Sequence, residues 1–188
     1  FKKSFQLFFK TLYGTVQNNQ NIKNIKFIEK KKVISIKSDI RNAKDYYTYK
    51  IKNGRVYTDY IENVSIISEK NLIGEVSYQQ IAGELKDPSC NVVLEKGTPA
   101  LKKKIKGRVL TIGQGASGNT YGHWLLEMLP KIKICSEHYA LKDIDYFYTP
   151  NLTTFQKETL SVLNIDSSKI INCEKYRHIE ADELLAVV

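Results

Sequence analysis

The fold of this chain is decided by residues 108–131, which read RVLTIGQGASGNTYGHWLLEMLPK. The first five residues, 108–112, form a strand-like segment rich in β-branched and apolar side chains. Small residues follow at 113–118, and polar residues then open an apolar stretch with helical spacing. The segment therefore predicts a strand, a flexible turn and a helix whose N-terminal N–H groups suit a phosphate or carboxylate.

The predicted helix, from about 120 to 138, carries the candidate catalytic residues. His123 and Glu127 are four residues apart, so their side chains are expected to meet on one face. Pro130 lacks an N–H group, which predicts a kink or a break in the helix. We expect the apolar neighbours of the pair to lie in the core, namely Trp124, Leu125, Met128 and Leu129. The other two histidines, His138 and His178, are expected at the surface.

The segment 107–188 alternates between strand and helix patterns. Strands are predicted at 108–112, 145–149, 169–172 and 183–188, and helices at 120–138 and 153–164. Alternation of this kind is typical of a parallel sheet with right-handed crossovers, in which ligands bind beyond the carboxyl ends of the strands. The fold class is therefore α/β, with residues 107–188 as a Rossmann-like domain.

Residues 1–106 have a different pattern of hydrophobic residues. Residues 1–17 have apolar side chains at helical spacing with lysines between them, as in an amphipathic helix. Short β-branched runs follow and predict a meander of small strands: Val33–Ile36, Arg55–Thr58, Val64–Ile67, Leu72–Ile73 and Val92–Leu94. Lys102–Lys104 is expected to be an exposed connection, and the domain boundary is expected at 106/107.

Charge is divided unevenly along the 188 residues. Residues 1–106 hold 21 Lys or Arg against 10 Asp or Glu, and residues 107–188 hold 8 against 10. We interpret the basic part as a lysine-rich solvated surface, with contact to an anionic membrane as the alternative. Arginine is scarce there, which argues against nucleic acid as a partner.

No apolar run approaches the roughly 20 residues needed to cross a bilayer. The three cysteines are widely spaced and are expected to be free thiols in a reducing cytoplasm. We therefore expect a cytoplasmic protein, with peripheral contact at the inner membrane left open. The chain opens on Phe1 and closes within an apolar strand pattern, so we expect it to be part of a longer protein.

The loop Gly113–Gly118 matches the pattern G-x-G-x-x-G between a strand and a helix. That pattern alone indicates a dinucleotide site. The acidic residue expected about 20 residues on is missing, because the next predicted strand ends in Thr149-Pro150. A nucleotide-dependent oxidoreductase is therefore the first alternative. The second is a non-catalytic module that binds a glycan or a membrane surface through the basic, amphipathic beginning of the chain.

Residues 120–131, TYGHWLLEMLPK, resemble the Tyr-x-His-Trp-Leu-Leu-Glu-x-Leu-Pro-Arg signature of glycosyltransferase family 61. Bacterial members are often labelled capsular polysaccharide biosynthesis proteins. The β-rich segment 54–77, the helix pattern 156–165 and the strand pattern 181–187 are also similar to that family. Thr120 stands where the family usually has Asn, Lys131 replaces the usual Arg, and Asn164 replaces the usual Gly.

The resemblance implies a GT-B enzyme that transfers a sugar, with inversion, from a nucleotide-sugar to a hydroxyl of a growing surface or capsular glycan. This chain would be the acceptor-side half, and its partners would be the nucleotide-sugar, the glycan acceptor and a missing carboxy-terminal domain. His123 is the candidate base or acceptor-positioning residue. Glu127 would orient the imidazole or act as the base itself.

The substrate-binding residues are expected in the loop and at the start of the helix. They are Gly115, Ser117, Gly118, Asn119, Thr120 and Tyr121. No metal is expected, because His123 and Glu127 lack further ligands at suitable spacing and zinc sites need three or four. No other cofactor is expected, since the nucleotide-sugar is a substrate.

Overall fold

The computed structural model describes residues 2–19, 25–34, 45–59, 63–113 and 120–188. Within these ranges the strands form an 11-stranded mixed sheet. In chain order they are β1 (Gln17–Asn18), β2 (Ile28–Lys32), β3 (Tyr47–Thr58), β4 (Asn63–Ser68), β5 (Asn71–Leu72), β6 (Tyr78–Ile81), β7 (Glu84–Leu85), β8 (Lys102–Thr111), β9 (Tyr146–Thr149), β10 (Ile170–Asn172) and β11 (His178–Val187).

Five α-helical segments flank the sheet. They are α1 (Lys2–Tyr13), α2 (Val92–Lys96), α3 (Tyr121–His123), α4 (Leu129–Ser136) and α5 (Thr154–Val162). A π-helical turn, Trp124–Met128, joins α3 to α4. Short 3₁₀ turns lie at Gly74–Val76, Pro88–Cys90, Leu141–Asp143 and Ser167–Lys169.

The parallel part of the sheet has the order β11-β8-β9-β10. The helix that starts at Tyr121 connects β8 to β9, and α5 connects β9 to β10. This is the strand–helix alternation that the sequence predicts for residues 107–188. The predicted mixed α/β architecture with a partly parallel sheet is therefore confirmed.

The rest of the main sheet continues from β11 on its other side. β3 pairs antiparallel with β11, and β4 pairs antiparallel with β3. β11 thus lies between β3 and β8, both of which precede it in the sequence. The division expected at 106/107 falls inside β8, so residues on both sides of it belong to one sheet.

A β-bulge bends β8 where it passes β11. Two residues of β8, Lys106 and Gly107, lie opposite the single residue Asp182. Gly107 has φ +100°, and its N–H donates to Oδ2 of Asp182 at 2.9 Å. The N–H of Arg108 donates to Oδ2 of Asp145 at 2.7 Å. The bulge therefore needs glycine at this positive φ, and its two N–H groups bond to Asp182 on β11 and to Asp145 just before β9.

The two faces of the parallel strands have separate apolar cores, as the alternation of side chains along a strand requires. Leu110, Phe147 and Leu185 pack with Trp124 and the helices that cover one face. The neighbouring residues on the same strands face the opposite core, among them Val109, Tyr148 and Leu184. Trp124 and Met128 have no exposed surface, which confirms their predicted place in the core.

Several expected elements are wrong in kind or extent. Val92–Leu94 belongs to α2, because the Asn91 side chain accepts from the Val93 N–H at 3.2 Å and caps a helical turn. Lys102–Lys104 is part of β8 and not an exposed connection. The amino-terminal helix ends at Tyr13, and β11 begins at His178 instead of 183.

Smaller expectations have mixed outcomes. Val33 and Ile34 lie outside any strand, and the rest of the predicted strand Val33–Ile36 lies outside the described residues. Cys90, Cys135 and Cys173 are free thiols, as predicted. In the described ranges, none of the helices combines the length and the apolar character that crossing a membrane requires.

Candidate active site

The candidate site lies where the parallel strands end. β8 ends at Thr111, and the chain enters α3 at Tyr121. The intervening candidate residues Gly115, Ser117, Gly118 and Asn119 lie outside the described residues, so their role in binding substrate stays a prediction. The helix that follows the loop provides three of the site's titratable side chains, His123, Glu127 and Lys131.

A π-helical turn shapes this helix. The N–H of Leu129 bonds to the carbonyl of Trp124, five residues earlier, and α4 then starts with Pro130 in its first turn. Proline fits there because its missing N–H falls in the first turn of a helix. The helical residues run without interruption from Tyr121 to Ser136, so no break occurs at Pro130, and the expected kink stays a prediction. Single π turns of this kind occur frequently at functional sites.

His123 and Glu127 are paired on the exposed side of the helix. Nδ1 of His123 lies 2.6 Å from Oε1 of Glu127. The two side chains are 44% and 38% exposed, so the imidazole is not sealed within the core. An ionised carboxylate only accepts hydrogen bonds, so Nδ1 of His123 is the donor in this pair and Nε2 points away from it.

Beside this pair lies a cavity of about 360 Å³, open to solvent. The helix contributes Leu126, Glu127 and Lys131 to its wall. The segment 75–78, Leu85 of β7 and the end of β11 form the other side. Its volume falls near the lower end of the roughly 300–1,000 Å³ range of small-molecule sites.

Lys131 projects from the helix into this space and also lines a smaller gap next to Thr111 and Gly113. The side chain is half-buried. Burial lowers the pKa of its ammonium from 10.5 to about 8, while the charge of Glu127 acts in the opposite direction. The ammonium of Lys131 therefore loses its proton at a lower pH than that of a surface lysine.

Glu75 and Tyr78 complete the polar wall. Glu75 accepts hydrogen bonds from Lys30 and from the Tyr49 hydroxyl, both on Oε2. Burial acts to raise the pKa of Glu75, but the bonds from Lys30 and Tyr49 lower it overall. The pKa of Tyr78 is raised, first by burial and then by the negative charge of Glu127. Both groups are thus held in their ordinary protonation states at neutral pH.

The other predicted helix residues do not gather around this cavity. Thr120 precedes α3, and its carbonyl accepts from the Trp124 N–H at 3.1 Å. Tyr121 is 62% exposed and contacts Phe155 of α5, with ring centroids 5.2 Å apart. Tyr121 therefore turns towards α5, whereas Glu127 turns towards the cavity. Leu125 is 37% exposed, so its predicted place in the core is wrong.

The surface position expected for His178 is also wrong. Its ring is fully buried between Tyr13 and Tyr57, and Nδ1 lies 3.2 Å from the carbonyl of Ala100. Burial, and then the charge of Arg55, lower its pKa from 6.5 to about 3. His138 is half-buried, with Nδ1 2.7 Å from the hydroxyl of Thr48.

Sequence reasoning did not assign Lys131, Glu75 or Tyr78 to the site. A signal for Lys131 was present, because it follows Glu127 by four residues as Glu127 follows His123. Tyr78 reaches the cavity through the pairing of β6 with β4, and Glu75 through the 3₁₀ turn just before β6; neither arrangement has a local signal in the sequence. In the part of the chain that is described, no cluster of three or more His, Cys, Asp or Glu could hold a metal ion.

No protein-family model, no curated protein and no solved structure matches this chain. The observations that bear on its function are therefore the 120–131 motif and the geometry of the site.

Proposed function

We propose that this chain is the acceptor-side half of an inverting GT-B glycosyltransferase similar to family 61. The observation that carries the proposal is the His123–Glu127 pair. It is exposed to solvent, hydrogen-bonded at 2.6 Å and placed beside a cavity at the carboxyl ends of parallel strands. Ligands of open α/β sheets bind at that end. The motif in residues 120–131 supports the same class.

In the proposed reaction an acceptor hydroxyl attacks the anomeric carbon of a nucleotide-sugar. The new glycosidic bond forms as the bond to the nucleoside diphosphate breaks, and the diphosphate leaves with the electron pair. The hydroxyl proton passes to the base, which is Nε2 of His123 or the carboxylate of Glu127. In the first case Glu127 stabilises the imidazolium that forms, because the carboxylate already holds Nδ1–H.

The test is sugar transfer by the intact protein that contains this chain, screened against a panel of nucleotide-sugars. We expect His123→Ala and Glu127→Gln each to lower turnover by about 10²–10⁴-fold, the usual contribution of a positioned base. Lys133→Ala is the matched control. It breaks an exposed ion pair with Glu137 that has the same spacing on the same helix, at 2.5 Å.

Undiminished transfer in both site variants would remove His123 and Glu127 from the mechanism. If the chain is an acceptor-side half, the isolated 188 residues lack a donor-binding site, and we expect them not to transfer sugar. Measurable turnover by this chain alone would contradict the half-enzyme assignment.

A second candidate function is attachment to an anionic membrane surface through α1. Phe5, Phe8 and Leu12 are 52%, 58% and 52% exposed and recur at helical spacing along one side of α1. Phe9 is buried and anchors the helix to its own protein. Interfacial helices insert such a stripe into the headgroup boundary, and nearby lysines add electrostatic attraction.

Co-sedimentation with vesicles that contain phosphatidylglycerol tests this second function. We expect Phe5→Ser/Phe8→Ser to abolish binding. Leu101→Ser, which removes a leucine outside α1 that is even more exposed, is expected to leave it intact. Equal sedimentation of all three proteins would exclude α1 as the membrane contact.

A further inference from the structure

The polar wall of the cavity is balanced in charge. Glu75 is paired with Lys30, and Glu127 lies close enough to Lys131 for its charge to act on the ammonium. An anionic ligand would therefore meet two carboxylates, and a cationic ligand would meet an ammonium that is already desolvated.

Hydroxyl groups suit this wall better than charges do. A carboxylate accepts through two oxygens, and both hydrogen bonds found for Glu75 within the described residues fall on Oε2. Oε1 of Glu75 can accept from a ligand hydroxyl, and the phenol of Tyr78 can donate or accept. An uncharged ligand rich in hydroxyl groups can hydrogen-bond to Glu75 and Tyr78 without placing an unpaired charge in the cavity.

The opening of the same cavity is apolar. Leu126 of the helix is 79% exposed and Leu85 of β7 is 69% exposed, and both line the cavity. Single exposed leucines are ordinary at a protein surface. Two exposed leucines that line the same cavity as a polar wall indicate a ligand with both a hydroxylated part and an apolar part.

We propose that the cavity binds a neutral glycoside that carries an apolar aglycone. The sugar ring lies against Glu75, Tyr78 and Glu127, and the aglycone lies along Leu85 and Leu126. This inference rests on the proposed function and specifies its acceptor. Glu127 lines the cavity, so a hydroxyl of the bound sugar would lie next to the carboxylate that holds His123.

The probes are octyl glucoside, octyl galactoside, their methyl counterparts and octyl glucuronide, each titrated below its micelle concentration into the 188-residue chain. Binding is followed by calorimetry and by NMR shifts of the leucine methyl groups. At ~0.8 kcal/mol per buried methylene, burial of two or three of them makes an octyl glycoside bind at least about tenfold tighter than the methyl glycoside. The glucuronide is expected to bind more weakly than the neutral octyl glycosides.

Leu126→Ser separates the two parts of the ligand. It is expected to weaken octyl glycoside binding by about tenfold and to leave methyl glycoside binding unchanged. Leu101→Ser is the control, because Leu101 is 76% exposed but does not line the cavity. Tyr78→Ala is expected to weaken both kinds of glycoside.

Each outcome bears on one proposal. Stronger binding of the glucuronide, or octyl binding that is insensitive to Leu126→Ser, overturns the inference. So does the absence of binding by every probe. The proposed function still stands in these cases if sugar transfer by the intact protein depends on His123. Loss of that dependence overturns the proposed function, whichever glycoside binds.

Discussion

The backbone N–H of Leu129 bonds to the carbonyl of Trp124, five residues earlier. This π-helical turn lies between His123 and Lys131, which are spaced four residues before and after Glu127. Glu127 meets His123 through its carboxylate and acts on Lys131 through its charge.

The charge of Lys131 lowers the stability of the fold at neutral pH. Because its pKa falls from 10.5 to about 8, the unfolded chain binds the proton more tightly. The destabilisation is complete below pH 8 and disappears as pH rises past 10.5. We expect Lys131→Met to raise the free energy of unfolding at pH 7 by about 1–3 kcal/mol and the gain to shrink by about pH 10.

Urea denaturation of the two proteins at both pH values measures this effect. Lys133→Met, at an exposed neighbouring position, is expected to change stability by less than about 0.5 kcal/mol. A Lys131→Met protein that is less stable than the wild type at pH 7 would contradict the destabilising role.

Glu127 is expected to support the charge of Lys131. Its carboxylate raises the lysine pKa against the effect of burial, so Glu127→Gln should move that pKa further below 8. The shift can be followed by NMR titration of the lysine side chain labelled with ¹³C at Cε. Glu137→Gln, at the end of the same helix, serves as the control. An unchanged lysine pKa in Glu127→Gln would show that the two groups do not interact.

His178 makes the fold sensitive to acid. Its pKa is about 3 in the folded chain and 6.5 when unperturbed, so the unfolded state binds more protons between those values. Its stabilising contribution is therefore complete above pH 6.5 and is lost as pH falls towards 3. Between pH 7 and 5 we expect the wild type to lose about 2 kcal/mol more stability than His178→Gln does.

Chemical denaturation at the two pH values, compared between the variants, isolates this histidine from the carboxylates that titrate in the same range. His138→Gln is the control, because His138 is only half-buried. Parallel loss of stability in the wild type and in His178→Gln would place the acid sensitivity elsewhere.

Gly107→Ala is expected to destabilise the bulge in β8. The residue has φ +100°, and an added Cβ would overlap the carboxylate of Asp145. We expect a loss of about 2–4 kcal/mol in the free energy of unfolding, because strain and overlap add. Gly83→Ala separates the two causes, since Gly83 has φ +81° with open space around it. Its loss, measured in the same urea titration, should be about 1 kcal/mol. Equal losses in both variants would exclude the overlap.

The cysteines are expected to react at different rates with a thiol reagent in the native protein. Cys90 is exposed, whereas burial raises the pKa of Cys135 and Cys173 to about 12. One thiol should react rapidly and two only after denaturation. Cys90→Ser should abolish the rapid phase, and its persistence would mean that a buried thiol becomes accessible.

The sequence predicts a helix or strand well where the hydrophobic pattern of that segment alone is enough to identify it. The strand before Gly113 and the helix after Thr120 are recognisable from hydrophobic period alone. Lys102–Lys104 reads as a loop because it is charged, yet it forms a strand. Lys102 and Lys104 both pair with Glu180 on β11, and that partner lies far along the chain.

The same limit applies to the site. The spacing of His123 and Glu127 predicts their contact, since both lie on one helix. The cavity next to them needs Glu75 and Tyr78 from a distant hairpin, so no local pattern predicts it. Leu125 is exposed although its sequence neighbours are apolar, because helical spacing gives the order of side chains on a helix but not which side another element covers.

β11 follows in sequence both of the strands it joins, β3 and β8. During synthesis these two strands emerge from the ribosome long before the strand that separates them, and until then each presents an unpaired edge. β11 can pair with β3 and β8 only after residue 187 has left the exit tunnel. We therefore expect the nascent chain to depend on chaperones until that moment. A stop codon placed before His178 should therefore yield an aggregating product rather than a smaller domain.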